Sequence, residues 1–490
     1  MSSAARIRTR FAPSPTGYMH IGNVRTALYA YLFARRHGGD FILRIEDTDT
    51  ERYVPEAVDL IFRTLKIVGL EYQEGPDVGG ALGPYVQSQR RDIYAKHADL
   101  LLERGGAYRC FCSKERLDEL RSLQALRKEQ IRYDGFCKNL QADEVASRLS
   151  EGLPFTVRQL IRPGASVRFT DEVFGEISVN SSDLDENVLM KSSGLPTYNF
   201  ANVVDDHLMG ISHVIRGTEY LSSTPKYILL YQSFGWEPPA HIHLPPIMKS
   251  ATKKFSKRDG DASFVDLLER GFLKEAVINM IALLGWHPSD DRELYTLSDL
   301  ERCFDVDGLQ KAPAVLDMQK LVWLNREYLR AMPAAAFLEA AGPFVGKVAF
   351  PPWISVSKVL SLIQTRIDTL DEIPSVTDFF AELPAYSSDL FVHEKSKSSL
   401  DTSLVALRWT MERLDRIPGW DSLAIGAFFD AGKLETGLSS GQMLWPIRIA
   451  LSGKKFTPGG AIEILEILGV DEAFRRLKLG AEKVEEALRV

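Results

Sequence analysis

The segment Pro13–Asn23 (PSPTGYMHIGN) constrains the fold of this chain more than any other. Residues 6–11 before it (RIRTRF) alternate like a half-buried strand, and Pro13, Pro15 and Gly17 end that strand abruptly. After Asn23 the apolar positions Val24, Ala27, Leu28, Tyr31, Leu32 and Ala34 recur at helical spacing until Gly38 and Gly39 stop the helix. Phe41–Ile45 (FILRI) then reads as a second strand. Strand, loop, helix, strand is the opening of a parallel, doubly wound sheet, which places ligands at the carboxyl ends of strands and the N-termini of helices. Asn23 is expected to cap this helix. Donors from His20 and Asn23, the unpaired N–H groups of the first turn and the close approach Gly22 permits together form an anion site.

The rest of the chain divides around that unit. At 490 residues it is too long for one core. Residues 1–104 carry the first half of a Rossmann-like domain. Residues 105–195 change character, with a Cys-containing turn, a charged helix predicted from Lys114 to Arg132 and mixed strands from Phe155 to Val179, and read as an α+β insertion. The α/β pattern resumes over 196–250, with a helix at Tyr198–His207, a strand at Ile211–Arg216 and a helix opened by Ser223-Thr224-Pro225 and running through Phe234. Residues 251–332 and 333–490 are read as all-α, including Phe264–Leu284, Leu404–Arg416 and Ala461–Leu468. The fold class expected is a split Rossmann-like α/β domain followed by helical domains.

Composition removes several functions. No apolar run approaches the ~18 residues of a membrane span, and no secretory signal follows MSSAARIRTRF, so a cytoplasmic, non-membrane protein is expected. Four cysteines in so long a chain argue against a disulfide framework. A net charge of −7 excludes indiscriminate coating of nucleic acid but allows local basic patches, of which Lys249 to Arg258 and Lys454 to Lys478 are the clearest.

The first of these contains Lys254-Phe255-Ser256-Lys257-Arg258 before an Asp-Gly turn. Two amines three positions apart on a loop can close over a triphosphate and neutralise charge at its α-phosphorus. With His20-Ile21-Gly22-Asn23, this run resembles the paired HIGH and KMSKS signatures of class I aminoacyl-tRNA synthetases. Four longer runs narrow the resemblance to glutamyl-tRNA synthetases of the bacterial type: PSPTGYMHIG, Arg44–Asp49 (RIEDTD), Pro196–Gly210 (PTYNFANVVDDHLMG) and Val214–Glu219 (VIRGTE). The match extends over essentially the whole chain and is strongest between residues 8 and 260.

That resemblance implies ATP-dependent ligation of L-glutamate to tRNA(Glu) through glutamyl adenylate, with Mg2+. It implies that Arg10 and Arg216 hold the substrate side-chain carboxylate, and planar guanidinium forks suit that task. Ser14, Glu46, Tyr198 and Asn202 are implied for the α-amino and α-carboxylate groups. Thr16, His20, Gly22, Asn23, Glu219 and Lys257 are implied for ATP, with His20, Lys254 and Lys257 catalytic. Residues 105–195 are implied to meet the acceptor stem, 251–332 to contact the tRNA stem and 333–490 to read the anticodon, with Arg448, Thr457 and Pro458 touching its bases. The family also implies that tRNA binds before glutamate is activated. A monomer is expected.

Two questions stay open in the sequence. Cys110, Cys112, Tyr133 and Cys137 match a zinc arrangement of some family members, but a phenol is a poor ligand, and structural zinc and three unligated thiols stand equal. Cys303 has no neighbour and is expected to be a small buried hydrophobe. Charging of tRNA(Gln) with glutamate as well is the second alternative. A glutaminyl-tRNA synthetase is disfavoured by Arg216 and the helical C-terminal half, and a glutamyl-queuosine enzyme by the presence of that half. An inactive tRNA-binding protein is disfavoured by both phosphate motifs.

Overall fold

In a computed structural model, the structure describes residues 6–17, 19–49, 54, 56–250, 252–253 and 263–489. The chain forms two compact units, one of residues 1–267 with 277–317 and the other of residues 268–276 with 318–490.

The first unit is built on parallel strands. β1 (Arg8–Phe11) leads through the Pro-rich loop into α1 (Ile21–Arg36), and β2 (Asp40–Leu43) returns parallel to β1 with Arg10 opposite Ile42. α2 (Glu56–Val68) and α3 (Arg91–Glu103) follow. β3 (Ala107–Cys110), α4 (Lys114–Leu126), α5 (Ala142–Ser150), β4 (Thr156–Gln159), β5 (Ser166–Asp171), β6 (Gly175–Asn180) and β7 (Val188–Met190) make up the insertion. α6 (Tyr198–Leu208), β8 (His213–Gly217), α7 (Thr224–Phe234) and β9 (Ala240–Leu244) complete the core. β8 and β9 are parallel, with Arg216 opposite His243. Ser212 donates its backbone N–H to the Arg8 carbonyl at 2.9 Å, and this bond brings β8 beside β1.

The predicted elements are present, with informative shifts. Helix α1 begins at Ile21, so its N-cap is His20 and not Asn23: the Gly22 N–H donates to His20 Nδ1 at 3.1 Å. The imidazole does the capping work usually left to a hydroxyl or carboxylate. Helix α4 stops at Leu126 rather than Arg132, where Lys128 turns to a positive φ of 56°. Phe264–Leu284 is two helices, Phe264–Glu269 and Lys274–Ala282, parted at Gly271 with φ of 80°. Strands from 105–195 also reach the second half of the sheet. β6 and β5 join the sheet of the second half in the order β6-β5-β9-β8, with Asp171 of β5 parallel to His241 of β9.

The second unit is helical throughout. Its core gathers Phe379, Phe391, Leu407, Ile447, Leu465 and Leu477 from Ile373–Ala381, Leu400–Arg413, Ser440–Ser452, Ala461–Leu468 and Val470–Arg489 and the segments between. Among the described residues no helix is long and apolar enough to cross a membrane.

Candidate active site

The carboxyl ends of β1, β8 and β9 converge on a cavity of about 310 Å³. Arg10 and Ser14 from β1 and its loop, Tyr198 from α6, and Arg216 from β8 line it. Thr16, Gly22, Asn23 and Glu219 line the same space, so the residues expected for glutamate and for ATP share one pocket. Ser14, Thr16, Tyr198 and Tyr220 also face an adjoining cavity of about 790 Å³ that includes Glu46. His20 lines neither cavity, and burial lowers its pKa, so its ring is neutral near pH 7. Asn202 is buried and donates to the Tyr198 carbonyl at 2.8 Å, which makes it a brace of the helix start. Lys254 and Lys257 lie outside the described residues.

Beneath the pocket is a buried charge network. Asp206 accepts from Arg10 Nε at 3.0 Å, from Arg10 Nη2 at 3.3 Å and from Arg44 Nη2 at 2.8 Å. Asp205 accepts from Arg90 Nε at 2.8 Å, from Gln87 at 2.9 Å and from Tyr94 at 2.8 Å. Burial would raise the Asp206 pKa, but Arg10 and Arg44 overcome it and hold the carboxyl below its ordinary value. Glu46 Oε1 accepts from Arg44 at 3.0 Å, while its buried Oε2 has no hydrogen-bond partner among the described residues. Burial is the largest influence on Glu46 and pushes its pKa up to about 7, against the pull of Arg44 and Arg10.

Arg10 and Arg216 therefore differ. Arg10 already has a carboxylate on two of its nitrogens, so its charge is largely answered inside the protein. Arg216, only 5% exposed, pairs with no carboxylate among the described residues. Its Nε donates to His243 Nε2 at 3.1 Å and its Nη2 to Thr224 Oγ1 at 3.0 Å, and the rings of Tyr220 and Tyr227 lie 5.3 and 4.7 Å from its guanidinium carbon.

Residues 6–323 match the family described as tRNA synthetases class I (E and Q), catalytic domain, and residues 336–481 match an anticodon binding domain family. A glutamate--tRNA ligase of Clostridium botulinum is 51% identical over 98% of this chain and 99% of its own length. One from Clostridium tetani is 52% identical over 98% of each. The crystal structure of a glutamate tRNA ligase from Elizabethkingia meningosepticum, in complex with its amino acid, superposes with a TM-score of 0.90 at 34% identity, covering 98% of this chain and all of that one. The chain belongs to the bacterial-type glutamyl-tRNA synthetases of class I.

In this synthetase Arg448 lies beside Thr457, and the three cysteines lie together. Arg448 Nη1 donates to Thr457 Oγ1 at 2.9 Å and Nη2 to the Lys455 carbonyl at 3.0 Å, over the face of Trp445. Arg366 donates to the Pro458 carbonyl beside them, and Phe456 stands 83% exposed on the same loop. Neither residue was singled out by sequence. The sulfurs of Cys110, Cys112 and Cys137 lie within 4.8 Å of one another, and the Tyr133 hydroxyl is 3.4 Å from two of them. Cys303 is half-buried on the surface of its helix rather than fully buried.

Arg44, Asp205, Asp206, Thr224 and His243, which surround Arg10, Glu46 and Arg216, were not singled out from the sequence as site residues. Two signals were available for the first three. Arg44 and Glu46 are two apart, hence on one side of an extended segment. Asp205 and Asp206 follow a buried helical run, FANVV, that is apolar except for Asn202, and acids are almost never fully buried unless paired.

Proposed function

We propose that one pocket carries both steps of ATP-dependent ligation of L-glutamate to tRNA(Glu). A glutamate α-carboxylate oxygen attacks the α-phosphorus of ATP, and pyrophosphate leaves; a terminal ribose hydroxyl of the tRNA then attacks the acyl carbonyl, and AMP leaves. Positioning and charge stabilisation supply the catalysis, and no protein nucleophile is needed.

The observation that carries the assignment of the amino acid is a pair of unanswered buried groups. Arg10, Arg44 and Arg90 have Asp205, Asp206 and Glu46 in direct contact, whereas Arg216 touches none of these and Glu46 keeps an oxygen without a donor among the described residues. A ligand with an ammonium for Glu46 and a side-chain carboxylate for Arg216 satisfies both. Glutamate has these groups; glutamine leaves the guanidinium unanswered. Arg10 acts with Arg216 as a hydrogen-bond donor at the pocket wall, its charge set against Asp206, while Ser14, Tyr198 and Asn202 shape the α-carboxylate end.

ATP sits against Thr16, Gly22, Asn23 and Glu219, with Mg2+ on its phosphates. The N-terminus of α1, capped by His20, faces phosphate charge, and Lys254 and Lys257 complete that role. The helical second unit reads the anticodon through Arg448, Thr457 and Pro458, and 105–195 and 251–332 meet the acceptor end and the stem. The protein acts as a cytoplasmic monomer and activates glutamate with tRNA bound.

The cysteine cluster suits a structural zinc. Sulfurs bound at 2.3 Å to a tetrahedral zinc are about 3.8 Å apart, and Cys112 and Cys137 are separated by 3.5 Å. Cys110, Cys112, Cys137 and the Tyr133 phenol would hold the ion, which would cross-link β3 to the loop after α4. Metal analysis of purified protein, with the unfolding midpoint before and after chelation, tests this: no bound metal and an unshifted midpoint reject it.

Charging of purified tRNA(Glu) and tRNA(Gln) with radiolabelled glutamate, with glutamine as competitor, tests the main reading. Glutamate on tRNA(Glu) is expected. Glutamine esterified to either tRNA would overturn the role of Arg216, and glutamate on tRNA(Gln) would identify a non-discriminating enzyme.

A further inference from the structure

Arg216 is held by a chain of buried side chains that starts in the inserted segment. Asp171, at the end of β5, is 1% exposed. Its Oδ1 accepts from the backbone N–H groups of Val173 and Phe174 at 3.0 and 2.9 Å. Its Oδ2 accepts from the His243 backbone N–H at 3.2 Å and lies 2.6 Å from His243 Nδ1. His243 is wholly buried on β9, and its Nε2 faces Arg216 Nε at 3.1 Å.

This order permits one arrangement of protons. Arg216 can only donate, so Nε2 must carry the lone pair and Nδ1 the hydrogen. A carboxylate at Nδ1 enforces that tautomer, because it can only accept. Burial first, and the neighbouring Arg216 charge after it, depress the His243 pKa against the opposing pull of Asp171, which keeps the ring neutral. A guanidinium is planar, and its Nε and Nη2 are taken by His243 and Thr224. The edge remaining for a ligand is the Nη1 and outer Nη2 fork, whose direction His243 and Thr224 determine.

We propose that Asp171 and His243 are positioning residues for amino-acid specificity: Asp171 sets the His243 tautomer, and His243 Nε2 aims the guanidinium fork of Arg216 at the substrate side-chain carboxylate. The proposal rests on the reading of Arg216 given above. Neutral acceptors orient the arginine without discharging it, which a carboxylate in direct contact would do. The strand that supplies Asp171 enters the catalytic sheet from the insertion, so the insertion contributes to the glutamate pocket as well as to the fold around it.

The test compares full-length wild type, Arg216→Ala, Asp171→Asn, His243→Asn and His243→Gln in tRNA charging, reading kcat and the KM for glutamate and for ATP separately. In Asp171→Asn, the two backbone donors at Oδ1 keep the amide oxygen there and turn the amide nitrogen toward His243, which forces the wrong tautomer. His243→Asn places no acceptor at the Nε2 position, while the Gln Oε1 reaches it. Asp171→Asn and His243→Asn are expected to raise the glutamate KM by about tenfold or more. They should also narrow discrimination against glutamine, with the ATP KM nearly unchanged and the defect largely rescued in His243→Gln.

If Arg216→Ala leaves the glutamate KM unchanged, the reading of Arg216 fails and the proposal with it. If Arg216→Ala raises that KM while Asp171→Asn and His243→Asn do not, or if those two depress kcat and raise both KM values alike, the positioning role alone is overturned. Should the variants not fold, 15N spectra of histidine-labelled wild-type protein decide the matter. An Nδ1–H tautomer for His243 supports the proposal, and an Nε2–H or doubly protonated ring overturns it.

Discussion

Arg216 in the catalytic unit and Arg448 in the helical unit are held in similar ways and buried to different depths. Neither pairs with a carboxylate among the described residues. Arg216 donates to an imidazole and a hydroxyl between two tyrosine rings, and Arg448 to a hydroxyl and a carbonyl over a tryptophan ring. Neutral acceptors and an aromatic face fix a guanidinium and leave its charge for a ligand. Arg216 is 5% exposed, whereas Arg448 is half-buried on the helix Ser440–Ser452, beside the loop that exposes Phe456. The difference teaches that burial, rather than the choice of partners, sets what each arginine is worth. A charge is strong in low dielectric and expensive if left unpaired; at the surface, water shares it.

The comparison can be broken at either arginine. The largest effect is expected from Arg216→Ala, which leaves the substrate carboxylate buried without its partner. That costs roughly 3–5 kcal/mol, or about 10²-fold to several times 10³-fold in kcat/KM for glutamate. Steady-state charging measures it, and a loss under about fivefold would place Arg216 outside the recognition of glutamate. Arg448→Ala should cost less, about 1–3 kcal/mol, and only in kcat/KM for tRNA. An equal rise in the glutamate KM would dissolve the contrast between the two sites.

A pH profile sharpens the catalytic side of the contrast. Glu46 has its pKa raised to about 7, so it is protonated below that pH in the free protein and cannot offer charge to the substrate ammonium. Glutamate KM is therefore expected to fall by up to about tenfold as pH rises from 6 to 8, and Glu46→Gln to flatten the curve. The sign for stability is opposite. A carboxyl whose folded pKa lies above its unfolded value binds more protons when folded, so its contribution to stability weakens as pH rises from the unfolded value toward 7. A glutamate KM independent of pH over that range would remove Glu46 from the ammonium site.

The smallest effect belongs to the most exposed residue. Phe456→Ala is expected to weaken tRNA binding by about 1 kcal/mol, the lower end of base stacking on an aromatic ring. Direct binding of tRNA(Glu) to the full chain measures it, and no change would mean that the ring meets no base.

Much of this fold was legible because its signals are local. The break at Pro13–Gly17, the helical spacing from Val24 to Ala34 and the Ser-Thr-Pro start of α7 reflect backbone preferences acting within a few residues. The same locality explains the misplaced features. Asn23 looked like a cap because of its side chain, yet the chain becomes helical two residues earlier and His20 takes the position. Phe264–Leu284 keeps its apolar rhythm across Gly271, whose positive φ lies between the end of one helix at Glu269 and the start of the next at Lys274.

The sequence by itself determined the chemical groups available to this protein: a Pro- and Gly-containing loop leading into a helix, two arginines at strand ends, and a glutamate after the second strand. The tertiary structure alone decided how those groups divide their work. Asp206 reaches Arg10 across 196 residues and Arg44 across 162, and so removes one arginine from the supply of free charge. Asp171 reaches His243 across 72 residues and leaves the other arginine oriented and charged. A buried ion's partner is whichever group the converging strands bring within about 3 Å, and no spacing along the chain encodes that meeting.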